Sequence, residues 1–460
     1  MPEQYLSRTS SAQPGSILWK FLISLSRALD LSYNGIMSHH MRVAVITDKI
    51  SRAMGLSQDI TARTVQASLI HDLGVKTWGD RNILQKFEVA DPYTHALEGC
   101  RILTDGGDRM ASRSSNDRGG GALFGSHAVV ILHHHDKWDG GNPTGAKRNA
   151  IPIEARMIHL ADRIDVLLDE SRPFNSQRQE ILKIIQSQRG RVFDPELIDV
   201  VSDLSKSESF WFDLEQSFLP KSLESNANRD LAGALPFGLV SLDGLGPSLL
   251  DVVEALSWVF AEVVDRRSPY TQRHCRMVGD CSYTVAKNLG LSDSVCRELR
   301  VAGLLHDLGK LGVSEDILNK EGPLDDEELY MIKRHPYLTY HLLSDIPGFD
   351  RIKEWASFHH ERPDGQGYPF RMDSSELSLE SRIVAVCDVF SALYENRPYR
   401  PGLSPEEVKR ILVEMAQEGA LDREVVDVAV EVLWEVTDLG GVSDLGEVSD
   451  LVASTSVNGS

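Results

Sequence analysis

CRELRVAGLLHDLGKLG, residues 296–312, sets apolar Val301, Leu304, Leu305 and Leu308 at three- and four-residue spacing, then stops on Gly309 and Gly312. That is the pattern of a one-sided helix ended by glycine. Upstream, VAVITDKISRAMGL (43–56) repeats the pattern with Val43, Ile46, Ile50 and Met54. Strand-like alternation is scarce along the chain, so the expected fold class is all-α.

The same stretch also shows a duplication. AGLLHDLG (302–309) has a counterpart in ASLIHDLG (67–74), and HCRMVGDCSYTVAKNLGLS (274–292) one in HHMRVAVITDKISRAMGLS (39–57). His39 to His71 and His274 to His306 are both 32 residues apart. FHHERPDGQGYP (358–369) parallels LHHHDKWDGGNP (132–143), and ESRIVAVCDVFSALYENRPYR (380–400) parallels EARMIHLADRIDVLLDESRPF (154–174). LDREVVDVA (421–429) then parallels FDPELIDVV (193–201). Blocks recurring in one order mean tandem copies of one domain. The expected organisation is a first domain at 17–204, a linker at 205–250, a second domain at 251–435 and an acidic, disordered tail at 436–460. The Gly/Ser/Arg/Asp-rich insertion at 105–122 reads as a surface loop, with a mobile lid as the alternative.

Composition narrows the function. With 48 basic and 68 acidic side chains, the net charge of −20 argues against a nucleic-acid polymer as partner. Five widely spaced cysteines without a CxxC pair suggest a reducing compartment. The polar N-terminus lacks a secretory pattern, and acidic or basic residues interrupt the apolar stretches 17–31 and 249–264. The expectation is a cytoplasmic protein with no membrane association.

In the second copy His274, His306, Asp307, His335, His359, His360 and Asp388 stand out. Imidazoles and carboxylates together suit iron, manganese, zinc or nickel better than calcium or magnesium, and a carboxylate can bridge two ions where an imidazole nitrogen cannot. A bridging Asp307 would leave open positions on both ions for water and phosphate oxygens. Taken singly, each histidine is more simply a satisfied polar residue at a helix end. Their ordered recurrence in both copies favours metal.

The pattern H…HDLGK…H…HHE(x)PDGxGYP…D…RPYR closely resembles the HD-GYP branch of the HD-domain phosphohydrolases, over about residues 260–432, most specifically in HDLGKLGV (306–313) and HHERPDGQGYP (359–369). The resemblance implies an all-helical fold, two or three ions (commonly iron or manganese), and hydrolysis of cyclic dinucleotides, chiefly cyclic-di-GMP. Carried over by position, His274, His306, Asp307 and Asp388 would hold one ion; His335, His359, His360 and the shared Asp307 the other. Some relatives hold a third ion with a glutamate where this chain has Tyr270, so two are expected. Lys310, with Asp307, is the catalytic candidate, neutralising a phosphate oxygen or assisting the leaving oxygen. Tyr368 would contact the ligand, and Arg397 and Arg400 would clamp its second phosphate. Their plainer readings are a loop aromatic packed on its own helix and a solvated helix end.

The first copy keeps an aligned ligand set: His39, His71, Asp72, His95, His134, His135 and Asp162, offering a site for two more ions. His95 lies 24 residues beyond His71, against 29 for His335 beyond His306, so His127 and His133 compete for its place. The accessory residues differ: Val75 replaces Lys310, Asn142 faces Tyr368, and RPFN (172–175) keeps Arg172 but ends in Asn175. Three readings stay open for this copy: a metal-loaded regulatory or dimerising domain, a phosphohydrolase for another substrate, or a second cyclic-dinucleotide phosphodiesterase. For the whole chain the expectation is cyclic-di-GMP cleavage to linear pGpG, with a second cut to GMP left open. Alternatives are 3',3'-cyclic GMP-AMP as substrate, another nucleotide phosphate, a non-catalytic sensor, or a scaffold. A homodimer or a signalling protein is the expected partner.

Overall fold

The computed structural model describes residues 14–31, 38–84, 86–87, 91–113, 124–226, 248–268, 273–395 and 401–441. Among them every regular element is helical, and the only β pairing is two isolated bridges, Arg189 with Phe193 and Asp364 with Asp373. The first copy runs α1 (Pro14–Asp30), α2 (His39–Ala53), α3 (Gln58–Ser68), α4 (Trp78–Leu84), α5 (Tyr93–Arg113), α6 (Gly125–His133), α7 (Ile153–Val166), α8 (Arg178–Ser187), α9 (Pro195–Leu204), α10 (Glu208–Phe212) and α11 (Leu219–Asn226). The second runs α12 (Leu249–Asp265), α13 (His274–Asn288), α14 (Asp293–Leu305), α15 (Glu315–Leu318), α16 (Asp326–Lys333), α17 (His335–Ser344), α18 (Asp350–Ser357), α19 (Leu379–Tyr394), α20 (Pro405–Gln417) and α21 (Arg423–Gly441). No described helix is long and apolar enough to cross a membrane.

Local chemistry sets the repeated starts. Ser57 and Ser292, at matching positions, accept from the backbone N–H of Ile60 and Val295 and begin α3 and α14. Each of those helices then delivers a His-Asp pair at its C-terminal end. Asp194 caps α9 with Pro195 at its first position, and Ser404 and Glu407 form a capping box on α20.

The leading helix of each copy packs on the other copy. From α1, Phe21 lies 5.1 Å from Phe349, Arg27 pairs with Asp345 at 2.9 Å, and the Ser24 hydroxyl donates to the Leu342 carbonyl at the end of α17. Reciprocally, α12 lies on α5: Val259 fills the space over Gly106, and Arg266 pairs with Glu98. Buried Arg267 then ties the two His-Asp loops together. It donates to the carbonyls of Lys76 (3.2 Å) and Val313 (3.1 Å) and pairs with Glu315 at 2.6 Å, while Glu315 accepts from the Trp78 N–H.

Much of the stretch read from sequence as a linker is folded. Residues 205–226 include α10 and α11, which bury Phe210, Trp211, Leu214, Leu219 and Leu223, and Asp213 pairs with Lys49 at 2.6 Å. Apolar side chains spaced within a Ser- and Lys-rich stretch had hidden this packing from a compositional reading. Residues 227–247 and 442–460, the middle of the 105–122 insertion, and Tyr270 lie outside the described residues.

Candidate metal centres

The second-copy candidate ligands come from four helix ends and one helix interior. His274 opens α13, His306 and Asp307 follow α14, His335 opens α17, His359 and His360 follow α18, and Asp388 sits within α19. Ligand atoms of His274, His306 and Asp388 lie within 4.8 Å of one another, as do those of His335, His359 and His360. Asp307 stands between the sets. Its Oδ2 is 3.3 Å from His306 Nε2 and 3.7 Å from His274 Nε2; its Oδ1 is 3.2 Å from His335 Nε2 and 4.0 Å from His359 Nε2.

Backbone carbonyls aim the imidazoles. Nδ1 of His306 faces the Gly303 carbonyl at 2.7 Å, that of His335 faces Ile332 at 2.7 Å, and that of His359 faces Ala356 at 2.8 Å. A carbonyl only accepts, so Nδ1 carries the hydrogen and Nε2 is left to bind metal. His274 Nδ1 meets Ser391 at 3.0 Å and Glu395 at 3.1 Å instead. Neither was singled out from sequence, because a residue that orients a ligand carries no spacing signature.

This donor set fits divalent ions. His306 Nε2 and Asp307 Oδ1 are buried without a hydrogen-bond partner, a costly arrangement that a bound cation would relieve. Burial disfavours charge on His306, yet Asp307 and Asp388 override it and hold the imidazole up at about 10. Burial likewise opposes charge on His274, and Asp388 and Glu395 raise it. Burial takes His360 down to about 3. A ligand protonated below about 10 must lose that proton when metal binds. Loading is therefore expected to release at least one proton, and apparent affinity to rise about tenfold per pH unit between pH 6 and 9 for each proton displaced. Titration calorimetry in buffers of different ionisation enthalpy checks this; buffer-independent heats would contradict it.

Around the ligands, Lys310 Nζ is 2.5 Å from Asp307 Oδ2, and burial opposing charge on Asp307 is overcome by His306 and Lys310, which hold it well below the carboxylate range. The Tyr368 ring stacks on His360 at 4.8 Å and 30°, with Lys333 Nζ 5.4 Å from its centroid. Glu361 fixes this loop by accepting from Phe370 N (2.6 Å) and Met372 N (3.0 Å). Gly367 is required there, since a Cβ would sit 2.5 Å from the backbone of Glu361 and Arg362. Arg397 and Arg400 lie outside the described residues.

The first copy repeats the arrangement. Asp72, His95, His134 and His135 form one group and His39, His71 and Asp162 another. His95 occupies the place of His335 despite its shorter spacing. A Cβ on Gly74 would lie 2.1 Å from the His95 carbonyl oxygen, as one on Gly309 would from that of His335. Both competitors are engaged elsewhere, His127 with Gln66 at 2.9 Å and His133 with Asp136 at 2.6 Å.

Its surroundings differ. Val75 is buried. Asn142 spends its amide on its own loop and on the start of α5, accepting from the Lys137 N–H and the Tyr93 hydroxyl and donating to the Lys137 and Ala146 carbonyls. Arg172 faces solvent and Glu180. Two buried arginines were not anticipated. Arg42 grips Asp165, which lies 2.6 Å from His39 Nδ1. Arg163 holds Asp162 at 2.7 Å and donates to the carbonyls of Leu84 (3.1 Å) and Lys86 (2.6 Å), drawing that segment onto the site.

A family model described as HD domain matches residues 24–197 and 259–425. The chain is 30% identical over 414 residues to the 3'3'-cGAMP-specific phosphodiesterase 1 of Vibrio cholerae, covering 88% of this chain and 89% of that protein. It is 40% identical over 146 residues to a cyclic di-GMP phosphodiesterase of Pseudomonas aeruginosa, covering 32% of this chain and 35% of that protein. The crystal structure of a cyclic GMP-AMP specific phosphodiesterase of V. cholerae matches with a TM-score of 0.56 at 25% identity, over 91% of this chain and 97% of that one.

Proposed function

The chain belongs to the HD-domain family, and from that premise we propose that it is a metal-dependent phosphodiesterase that opens a cyclic dinucleotide within residues 251–435. The observation that carries the reading is Asp307, presenting one oxygen to each of two ligand sets while Lys310 stands beside it. His274, His306, Asp307 and Asp388 would hold one divalent ion, and His335, His359, His360 and Asp307 a second, with iron or manganese the first metals to test. Bound there, such ions make water nucleophilic near neutral pH and polarise phosphoryl oxygens. Lys310 neutralises charge developing on the phosphate. Tyr368 offers a face to a base, and Arg397 and Arg400 are the candidates for the second phosphate. Water oxygen joins phosphorus, the ribose 3'-oxygen leaves with a proton, and the linear dinucleotide is released.

Cyclic-di-GMP is the first substrate to test. A specific observation favours 3'3'-cGAMP as the second: the relative matched across 88% of this chain is named for it, whereas the cyclic di-GMP relative above matches 32%. The first copy we read as a metal-holding regulatory partner, since Val75 and Asn142 supply none of the contacts that Lys310 and Tyr368 would, and Asn175 stands where Arg400 does. Five separated free cysteines support a reducing, cytoplasmic setting.

The test is anaerobic purification with iron or manganese and incubation with each cyclic dinucleotide, followed by chromatography. Linear product is expected. Binding of both without cleavage under either metal would replace the enzyme reading with a sensor.

A further inference from the structure

His39 and His40 stand side by side at the start of α2, whereas the matching positions of α13 are His274 and Cys275. His40 is fully buried. Its Nδ1 is 2.5 Å from Asp30 Oδ1, at the C-terminal end of α1, and its ligand atom lies within 4.8 Å of those of His71 and Asp72. The rings of His40 and His71 are 4.9 Å apart. In the second copy the equivalent carboxylate, Asp265, accepts from the Cys275 N–H at 2.9 Å, so the supporting acid is kept while the imidazole is absent.

A carboxylate on one imidazole nitrogen fixes the tautomer and raises the basicity of the other, as is common for metal-bound histidine. We propose that His40 is an additional protein ligand to the ion beside His71 in the first copy, oriented by Asp30. The inference rests on the reading that this copy holds metal. His39, His71, Asp72 and Asp162 then gain a partner that the second copy cannot offer. The site becomes richer in nitrogen and poorer in open positions, favouring borderline ions such as zinc or cobalt and leaving less room for a phosphate oxygen. That matches a copy in which Val75 stands where Lys310 does: the first site is built to keep its ion, the second to present its ions to substrate.

The experiment uses the full chain carrying His306→Ala, Asp307→Ala and His359→Ala, which breaks both ligand sets of the second copy so that the first copy supplies the sites observed, with cobalt(II) alone as probe. Chelator competition measures affinity and the visible absorption of cobalt reports its ligand field. His40→Ala, which removes the imidazole, is expected to weaken cobalt retention at least about tenfold and to change the spectrum. His71→Ala should remove the band. An unchanged affinity and spectrum in His40→Ala, with loss in His71→Ala, would overturn the proposal and leave the reading of a metal-holding first copy standing. No cobalt uptake by the parent chain would remove both. Circular dichroism of the metal-free variants checks the fold. If His40→Ala does not fold, Asp30→Asn, which keeps the imidazole but frees it to turn, carries the same two outcomes.

Discussion

Asp307→Asn is expected to lower cyclic-dinucleotide turnover at least about 1,000-fold and to empty the second copy of metal. The two oxygens of Asp307 face different ligand sets, His274 and His306 on one side and His335 and His359 on the other. Asparagine offers one neutral oxygen, so a bridge between two ions is lost outright. An amide nitrogen pointed at Lys310 sets a donor against a donor, and one pointed at the His335 set has no lone pair to offer an ion. Removing a charged partner from a buried cluster also breaks the ion pair of Lys310 with Asp307. The loss should therefore exceed the 10- to 100-fold typical of removing a residue that merely supports a ligand. Metal content by mass spectrometry and product formation, measured on one preparation, check both parts. Retention of a tenth of the activity would contradict the bridging role.

Gly309→Ala is expected to act nearly as strongly without touching a ligand. A Cβ there would lie 2.1 Å from the His335 carbonyl oxygen and 2.9 Å from its carbon. Those are backbone atoms at the start of α17 and cannot rotate aside, so the helix must move and take His335 with it. The Gly309 N–H also donates to Thr339, whose hydroxyl donates to the His306 carbonyl, so one shift disturbs ligands of both sets. Overpacking of this kind costs about 3 kcal/mol or more. A displacement of roughly 1 Å in a reacting geometry costs about 100-fold in rate. Thermal unfolding and turnover of Gly309→Ala should both fall. Gly74→Ala, which meets the His95 carbonyl in the same way, should destabilise the first copy and leave most of the turnover. Equal loss of turnover in both variants would mean that the first copy's geometry is needed for catalysis.

The glycine of the HDLG block also shows how far the sequence could be read. The duplication, the helical class and the seven candidate ligands of each copy were visible as motifs in a fixed order. Spacing alone left His95 ambiguous, because the segment between His71 and His95 is shorter than its counterpart. Backbone packing against Gly74 resolves it, and packing is not a property of spacing. The orienting partners were hidden for a related reason. Glu395 serves His274 from 121 residues away and Asp165 serves His39 from 126, with no local signature at either end. Arg163 and Arg42 belong to no motif, and it is the fold that buries them against Asp162 and Asp165. The stretches 17–31 and 249–264 stood out as apolar, but nothing in them set α1 and α12 on the opposite copy, since amphipathicity names a buried face without naming what covers it. The difference between His40 and Cys275 was in plain view in the aligned blocks. Only the position of Asp30 gives it chemical meaning.

The most direct test of the account sets two double variants against the parent chain on both cyclic dinucleotides: His306→Ala/Asp307→Ala and His71→Ala/Asp72→Ala, each reconstituted anaerobically with iron or manganese. The account predicts linear dinucleotide from the parent and from the 71/72 variant, and none from the 306/307 variant. Product from the 306/307 variant, or its loss only in the 71/72 variant, would contradict the assignment of catalysis to the second copy.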